Sequence, residues 1–164
     1  MARSVLDLFA KETIMQSPKW VTKKVVSITK DASVQEAAKI MRKHHIGDVV
    51  VVDSKNNSPV GMLTDRDIVM ATVALNIPFE GLTVADIMSD KVITVSQDAG
   101  IHEVIKLMRT HGVKRIPVIG AKKVLAGIVS RDNVMKYLGD EFSLIGETYM
   151  KQRSKERERR PDIQ

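Results

Sequence analysis

Short β-branched runs alternate along this chain with stretches whose apolar residues recur every three or four positions, and the alternation occurs twice. Val25-Val26-Ser27-Ile28 and Val92-Ile93-Thr94-Val95 predict strands. Ser33 with Glu36 three residues later has the form of a capping box, and Val34, Ala37, Ala38 and Met41 follow at helical spacing. The counterpart helix has Gly100 at its cap, Glu103 at the same offset, a stripe of Ile101, Val104, Ile105 and Met108, and a stop at Gly112. Val49 to Val52 and Ile116 to Ile119 are almost wholly apolar and predict strands buried on both faces. Turn residues at Asn56 to Pro59 and Gly120 to Lys123 lead into returning antiparallel strands at Val60 to Leu63 and Leu125 to Val129. Thr64 and Ser130 then cap helices carrying Ile68, Val69 and Met70, or Val134, Met135 and Leu138. Each unit reads β-α-β-β-α, a mixed α/β (α+β) class.

The two units are copies. Moved forward by 67 positions, Val25 to Val52 falls on Val92 to Ile119 with 9 of 28 residues identical, including Asp31/Asp98, Glu36/Glu103, Met41/Met108 and His44/His111. Two copies of about 60 residues are too few for an open solenoid and each is marginal alone, so two small domains packed on one another are expected. The resulting division is an N-terminal extension over 1–20, a first repeat over 21–75, a linker over 76–83, a second repeat over 84–139 and a C-terminal extension over 140–164. Val5, Leu6, Leu8 and Phe9 suggest a short amphipathic helix in the first segment, and Thr83 to Met88 a lead-in helix to the second repeat. Residues 140–150 extend the last helix, and the tail from Lys151 is expected to be solvated and mobile, without regular structure.

Composition narrows the function classes. The chain of 164 residues has no cysteine, which excludes thiolate catalysis and disulfides and favours a cytoplasmic setting. Met1 to Phe9 contains Arg3 and Asp7 and lacks the apolar run of a signal peptide or membrane span. Half of the net charge of +6 lies in the last 14 residues, six bases against three acids, so the body is no nucleic-acid-binding core. His44, His45, His102 and His111 gather no metal-ligand spacing, and two of them end helices, where the helix dipole favours them. No nucleophile-base pattern, P-loop or dinucleotide fingerprint is present. No catalytic residue and no metal ligand is assigned.

Chemistry of another kind sits at Gly61, Thr64 and Asp67. Free N–H groups at a helix start favour an anion, and Asp67, one turn on, offers an acceptor-only carboxylate that suits the paired hydroxyls of a ribose. Gly61 removes a side chain where a ligand would approach the strand. Thr-x-x-Asp also serves as a plain capping box. In the second copy Ser130 is followed by Asn133, which offers one carbonyl oxygen where Asp67 offers two charged ones.

Val84 to Ser89 (Val-Ala-Asp-Ile-Met-Ser), Gly112 to Val118 (Gly-Val-Lys-Arg-Ile-Pro-Val) and Gly61 to Asp67 (Gly-Met-Leu-Thr-Asp-Arg-Asp), in this order within a doubled framework, resemble a tandem pair of cystathionine-β-synthase (CBS) domains, a Bateman module. The likeness covers roughly residues 20–139. It implies two repeats packed pseudo-symmetrically through their sheets, with clefts that take adenosine-containing ligands such as AMP, ADP, ATP or S-adenosylmethionine. It also implies a non-catalytic regulator or energy sensor, paired as a homodimer through Val34/Ala37/Met41, Ile68/Val69 and their copies, and signalling to a separate effector protein. One cleft would set Gly61, Met62, Thr64 and Asp67 against Lys91, Val92 and Thr94, and the other Ile128, Ser130 and Asn133 against Lys24 and Ser27. The loops after the first helices contribute Ile46, Gly47 and Asp48, or Val113, Lys114, Arg115 and Pro117, with Lys114 and Arg115 as phosphate contacts. Two other readings remain open: a nucleic-acid-associated dimer using the basic tail, and a structural dimerisation module with empty clefts.

Overall fold

The structure is a computed structural model that describes residues 18–160. The helix expected around Val5 to Phe9 lies outside the described residues. Two three-stranded sheets are present, each flanked by helices. The first contains β1 (Ser27–Thr29), β2 (Asp48–Val52) and β3 (Pro59–Thr64) in the order β1-β2-β3. The second contains β4 (Val95–Ser96), β5 (Arg115–Ile119) and β6 (Leu125–Ser130) in the order β4-β5-β6. In both, the first pair is parallel, the second antiparallel, and a bulge follows Val51 or Val118. The helices are α1 (Val34–His44), α2 (Asp65–Ala71), α3 (Val84–Ile87), α4 (Ile101–His111) and α5 (Arg131–Arg159).

Local chemistry accounts for the helix boundaries. The Ser33 hydroxyl accepts from the Glu36 N–H at 3.1 Å and caps α1. At the other end of the helices Gly112 takes the left-handed conformation, φ +64°, and so does His45 at φ +53° in the first copy. Thr83 begins α3, its N–H and hydroxyl both donating to Asp86 at 2.7 Å, and these bonds hold the Asp86 carboxyl below the usual carboxylate range. The first strands start later than the β-branched runs alone predict, at Ser27 and Val95. The hairpin loop of the second copy closes as a 3₁₀ turn with Lys122 and Lys123 at positive φ.

The repeats are joined by exchange. Thr22, in the segment ahead of β1, bridges to Ile128 of β6 through two backbone hydrogen bonds of 2.9 Å. Ser89, in the segment ahead of β4, bridges to Met62 of β3 at 2.9 and 3.0 Å. The cores are exchanged likewise. Trp20 is buried with Val104, Ile116, Val118 and Val129 of the second repeat, and Val84 with Ile28, Ala37, Val51 and Leu63 of the first. Each core is completed by the segment that leads into the other repeat, so the two repeats are packed on one another as expected.

Two expectations change. Val34, Ala37 and Met41 are buried inside the first core, at 1%, 0% and 5% exposure, so they form no subunit surface. Their spacing marks an apolar face but does not say which neighbour covers it. The tail is no structureless segment: α5 runs unbroken to Arg159, exposed throughout its second half. Among the described residues no helix is long and apolar enough to cross a membrane.

Candidate functional site

The exchange leaves a cavity of about 540 Å³ between the repeats, a size typical of small-molecule sites. Its walls come from the start of β2 (Gly47, Asp48), the end of β3 and start of α2 (Met62, Thr64 to Asp67), the lead-in to β4 (Ser89, Lys91 to Ile93) and the loop before β5 (Gly112 to Arg115). Met62, Val92, Ile93 and Val113 supply apolar surface. Arg66, Lys91, Lys114 and Arg115 face Asp48, Asp65 and Asp67, a mixed lining with one more base than acid.

The helix start of α2 organises one end. The Thr64 N–H donates to Asp67 Oδ2 at 2.9 Å, the Thr64 hydroxyl donates to the same oxygen at 2.7 Å, and the Asp67 N–H donates back to Thr64 Oγ1 at 3.1 Å. This is a complete capping box, and it uses a single carboxylate oxygen. Among the described residues Oδ1 accepts no hydrogen bond, so capping and ligand binding are compatible in one side chain. Thr64, in contrast, turns its hydroxyl proton inward to Asp67 rather than outward. Ser130 and Asn133 build the same box at α5, with Asn133 Oδ1 accepting from the Ser130 N–H at 3.3 Å and from its hydroxyl. The amide nitrogen of Asn133 then occupies the role of the uncommitted oxygen. It is a donor where Asp67 keeps an acceptor.

Asp48 and Arg115, equivalent positions in the two repeats, form an ion pair across the pseudo-twofold axis. Asp48 is 9% exposed, and burial pushes its carboxyl above the usual range although Arg115 pulls the other way. A carboxyl raised on folding stabilises the folded state below its unfolded pKa and loses that contribution as pH rises through the folded pKa. Arg115→Met removes the compensating charge and should raise the Asp48 pKa further. We expect a loss of about 1–3 kcal/mol at neutral pH, less than for a fully buried pair because Arg115 stays partly exposed. The deficit should shrink as pH falls toward 4, read by urea unfolding across pH; a deficit that grows on acidification contradicts this account.

Of the residues expected from sequence, the cavity brings together Gly47, Asp48, Met62, Thr64, Asp67, Lys91, Val92, Val113, Lys114 and Arg115. Ser130 and Asn133 lie at the α5 start, Ile128 on β6, Ser27 on β1, Lys24 in the exposed stretch before it and Ile46 against the first core; none lines this cavity. Thr94 and the buried Pro117 are also outside it. Gly61 needs a different explanation from the expected one. A Cβ there would meet the Ser89 carbonyl oxygen at 2.7 Å and Met88 Sδ at 2.8 Å, so what approaches the strand is the chain itself. Gly127 repeats this against Val21 Cγ1 at 2.6 Å and the Thr22 carbonyl at 3.1 Å. Sequence reasoning missed Asp65, Arg66, Ser89, Ile93 and Gly112. Asp65 and Arg66 sit inside the helix-start phrase and Ile93 inside a strand run, and adjacency to expected residues was the available signal.

A profile of the CBS domain matches residues 19–74 and 84–140. The uncharacterised protein MK0525 of Methanopyrus kandleri is 38% identical over 101 residues, 62% of this chain, and the chain spans about half of that relative's length, 51%. Hypoxic response protein 1 of Mycobacterium tuberculosis is 32% identical over 114 residues, 70% of this chain and 78% of its own. Among solved structures, the CBS domain pair of protein MJ0100 in complex with 5-methylthioadenosine and S-adenosyl-L-methionine superposes with a TM-score of 0.65 at 29% identity, covering 74% of this chain and 94% of that one. A structure of Hypoxic Response Protein I with two coordinated zinc ions gives a TM-score of 0.63 at 30% identity, over 71% and 94% of the two chains. With both repeats matched, in tandem and in the same fold as these neighbours, the chain belongs to the CBS-domain family.

Proposed function

We propose that this chain is a regulatory module that binds an adenosine-containing ligand, an adenine nucleotide or S-adenosylmethionine, in the cleft between its repeats and signals to a separate effector protein. The observation that carries this reading is Asp67, held rigidly by its capping bonds with Oδ1 uncommitted, in a cavity that also contains Lys91, Lys114 and Arg115. A carboxylate oxygen can accept from ribose hydroxyls, apolar side chains can sandwich a base, and the cations can meet phosphate or carboxylate. The neighbour holding two adenosine compounds supports the ligand class. Zinc is not carried over from the other neighbour, since among the described residues no three His, Cys, Asp or Glu side chains gather. The domain division given above, a cytoplasmic setting and homodimer formation belong to this proposal.

A ligand can transmit a signal only by binding two states unequally. Asp48 and Arg115 are suited to that, because an anionic ligand in the cavity competes with Asp48 for the guanidinium and so acts on the contact between the repeats. The test is a thermal-shift series with AMP, ADP, ATP and S-adenosylmethionine. At one hundred times its dissociation constant a ligand should stabilise the protein by about 2.7 kcal/mol. A flat melting temperature across the series would remove the proposal.

A further inference from the structure

Helix α5 leaves the body after its second turn. Val134 is buried and Tyr137 and Leu138 pack on the second core, but every residue from Gly139 to Arg160 is exposed. At 1.5 Å per residue the unsupported part reaches roughly 30 Å. Most helical stability in proteins comes from tertiary packing, which this stretch lacks, and its two interior glycines weaken it further. Among the described residues nothing explains them, since a Cβ at Gly139 or Gly146 would meet no atom of these.

The exposed segment is not uniformly polar. Within it Phe142, Ile145 and Tyr149 follow at spacings of three and four, as a and d positions of a heptad repeat do; upstream the same stripe runs into Leu138, which packs on the second core, and downstream it continues as Gln152 and Glu156. Phe142 is 72% exposed and Ile145 67%. Charge along the same segment is divided. Asp140, Glu141 and Glu147 are unaccompanied by any base from Gly139 to Glu147, whereas Lys151 to Arg160 holds six bases against Glu156 and Glu158. A parallel partner would lay base on base, while an antiparallel one lays the acidic half of each helix over the basic half of the other.

We infer that α5 pairs with α5 of a second copy of this chain as an antiparallel coiled coil centred near Glu147, with Ile145 on the partner's Tyr149 and Glu141 opposite the partner's Lys155. In this register Gly139 and Gly146 occupy e positions on one flank of the seam. Gly146 meets the partner's Gly146 near the axis, where a missing side chain lets the helices approach closely. Thr148, at g, meets its own counterpart. The pairing rests on the seam and its charges alone, and it holds whether or not the cleft between the repeats is filled.

The test uses the full chain, whose lack of cysteine makes single-cysteine variants unambiguous. Light scattering should give twice the mass for the wild type that it gives for an Ile145→Glu, Tyr149→Ser double variant, with the variant's circular dichroism still that of the folded body. Glu141→Lys should weaken association about tenfold by turning two symmetric attractions into repulsions, and adding Lys155→Glu should restore it. Thr148→Cys should link to itself through a short thiol crosslinker, whereas Gln152→Cys should not, because antiparallel pairing separates the two copies of that residue by roughly 15 Å. Equal masses for wild type and double variant overturn the inference, as does efficient linking of Gln152→Cys, which would mean a parallel pair. An α5 that stays monomeric and takes up duplex nucleic acid through its basic half overturns it too.

Discussion

Trp20→Ala is expected to destabilise the protein by about 3–5 kcal/mol, the cost of truncating a large buried aromatic side chain, out of a total that for most domains is about 5–15 kcal/mol. Trp20 precedes the first repeat but is 6% exposed among Val104, Ile116 and Val129 of the second. The loss should therefore fall on a core whose other members lie more than 70 positions downstream. Because Val84 makes the reciprocal insertion, the repeats should unfold together in one urea transition, with and without the substitution. A loss under about 1 kcal/mol, or two resolved transitions in the wild type, would contradict the exchange of lead-in segments.

Asp67→Asn is expected to weaken adenosine-ligand binding by one to two orders of magnitude, the equivalent of the roughly 1.5–3 kcal/mol that a hydrogen bond to a charged group contributes. The substitution is informative because Asn133 already shows that asparagine can complete the same capping box, so the α2 start should remain intact. Only the uncommitted oxygen is exchanged, for an amide nitrogen that donates where ribose hydroxyls need an acceptor. Asn133→Ala should change affinity at this cavity by less than about twofold, since Asn133 does not line it. Calorimetric titration of both variants checks the pair. Equal losses would mean that the charge on Asp67 does not decide binding.

Much of this arrangement is legible in the sequence. The capping residues Ser33, Thr64, Thr83 and Ser130 announce helix starts because their side-chain bonds are local, and β2 shows itself as an unbroken Val49 to Val52 run because both its faces are covered. The doubling implied that the repeats pack together. It did not reveal the exchange, because the partner of Trp20 or of Ser89 is set by tertiary contact with no local pattern. Gly61 illustrates the limit: it is readable as a place of close approach, but whether a ligand or a neighbouring strand approaches depends on residues far along the chain. The apolar spacing of Val34, Ala37 and Met41 was correct for a covered face and wrong for which surface covers it. The ion pair of Asp48 with Arg115 was invisible as a pair, since neither residue carries a signal for the other except their equivalence at 67 positions.

The measurement that bears most directly on the central claim is isothermal titration of the full chain with AMP, ADP, ATP and S-adenosylmethionine in turn, with Asp67→Asn as the paired control. The account predicts saturable heat with at least one of them and a ten- to hundredfold weaker constant, roughly, for the variant. Absence of binding by all four compounds to folded wild-type protein, or an affinity that the substitution leaves unchanged, would contradict it.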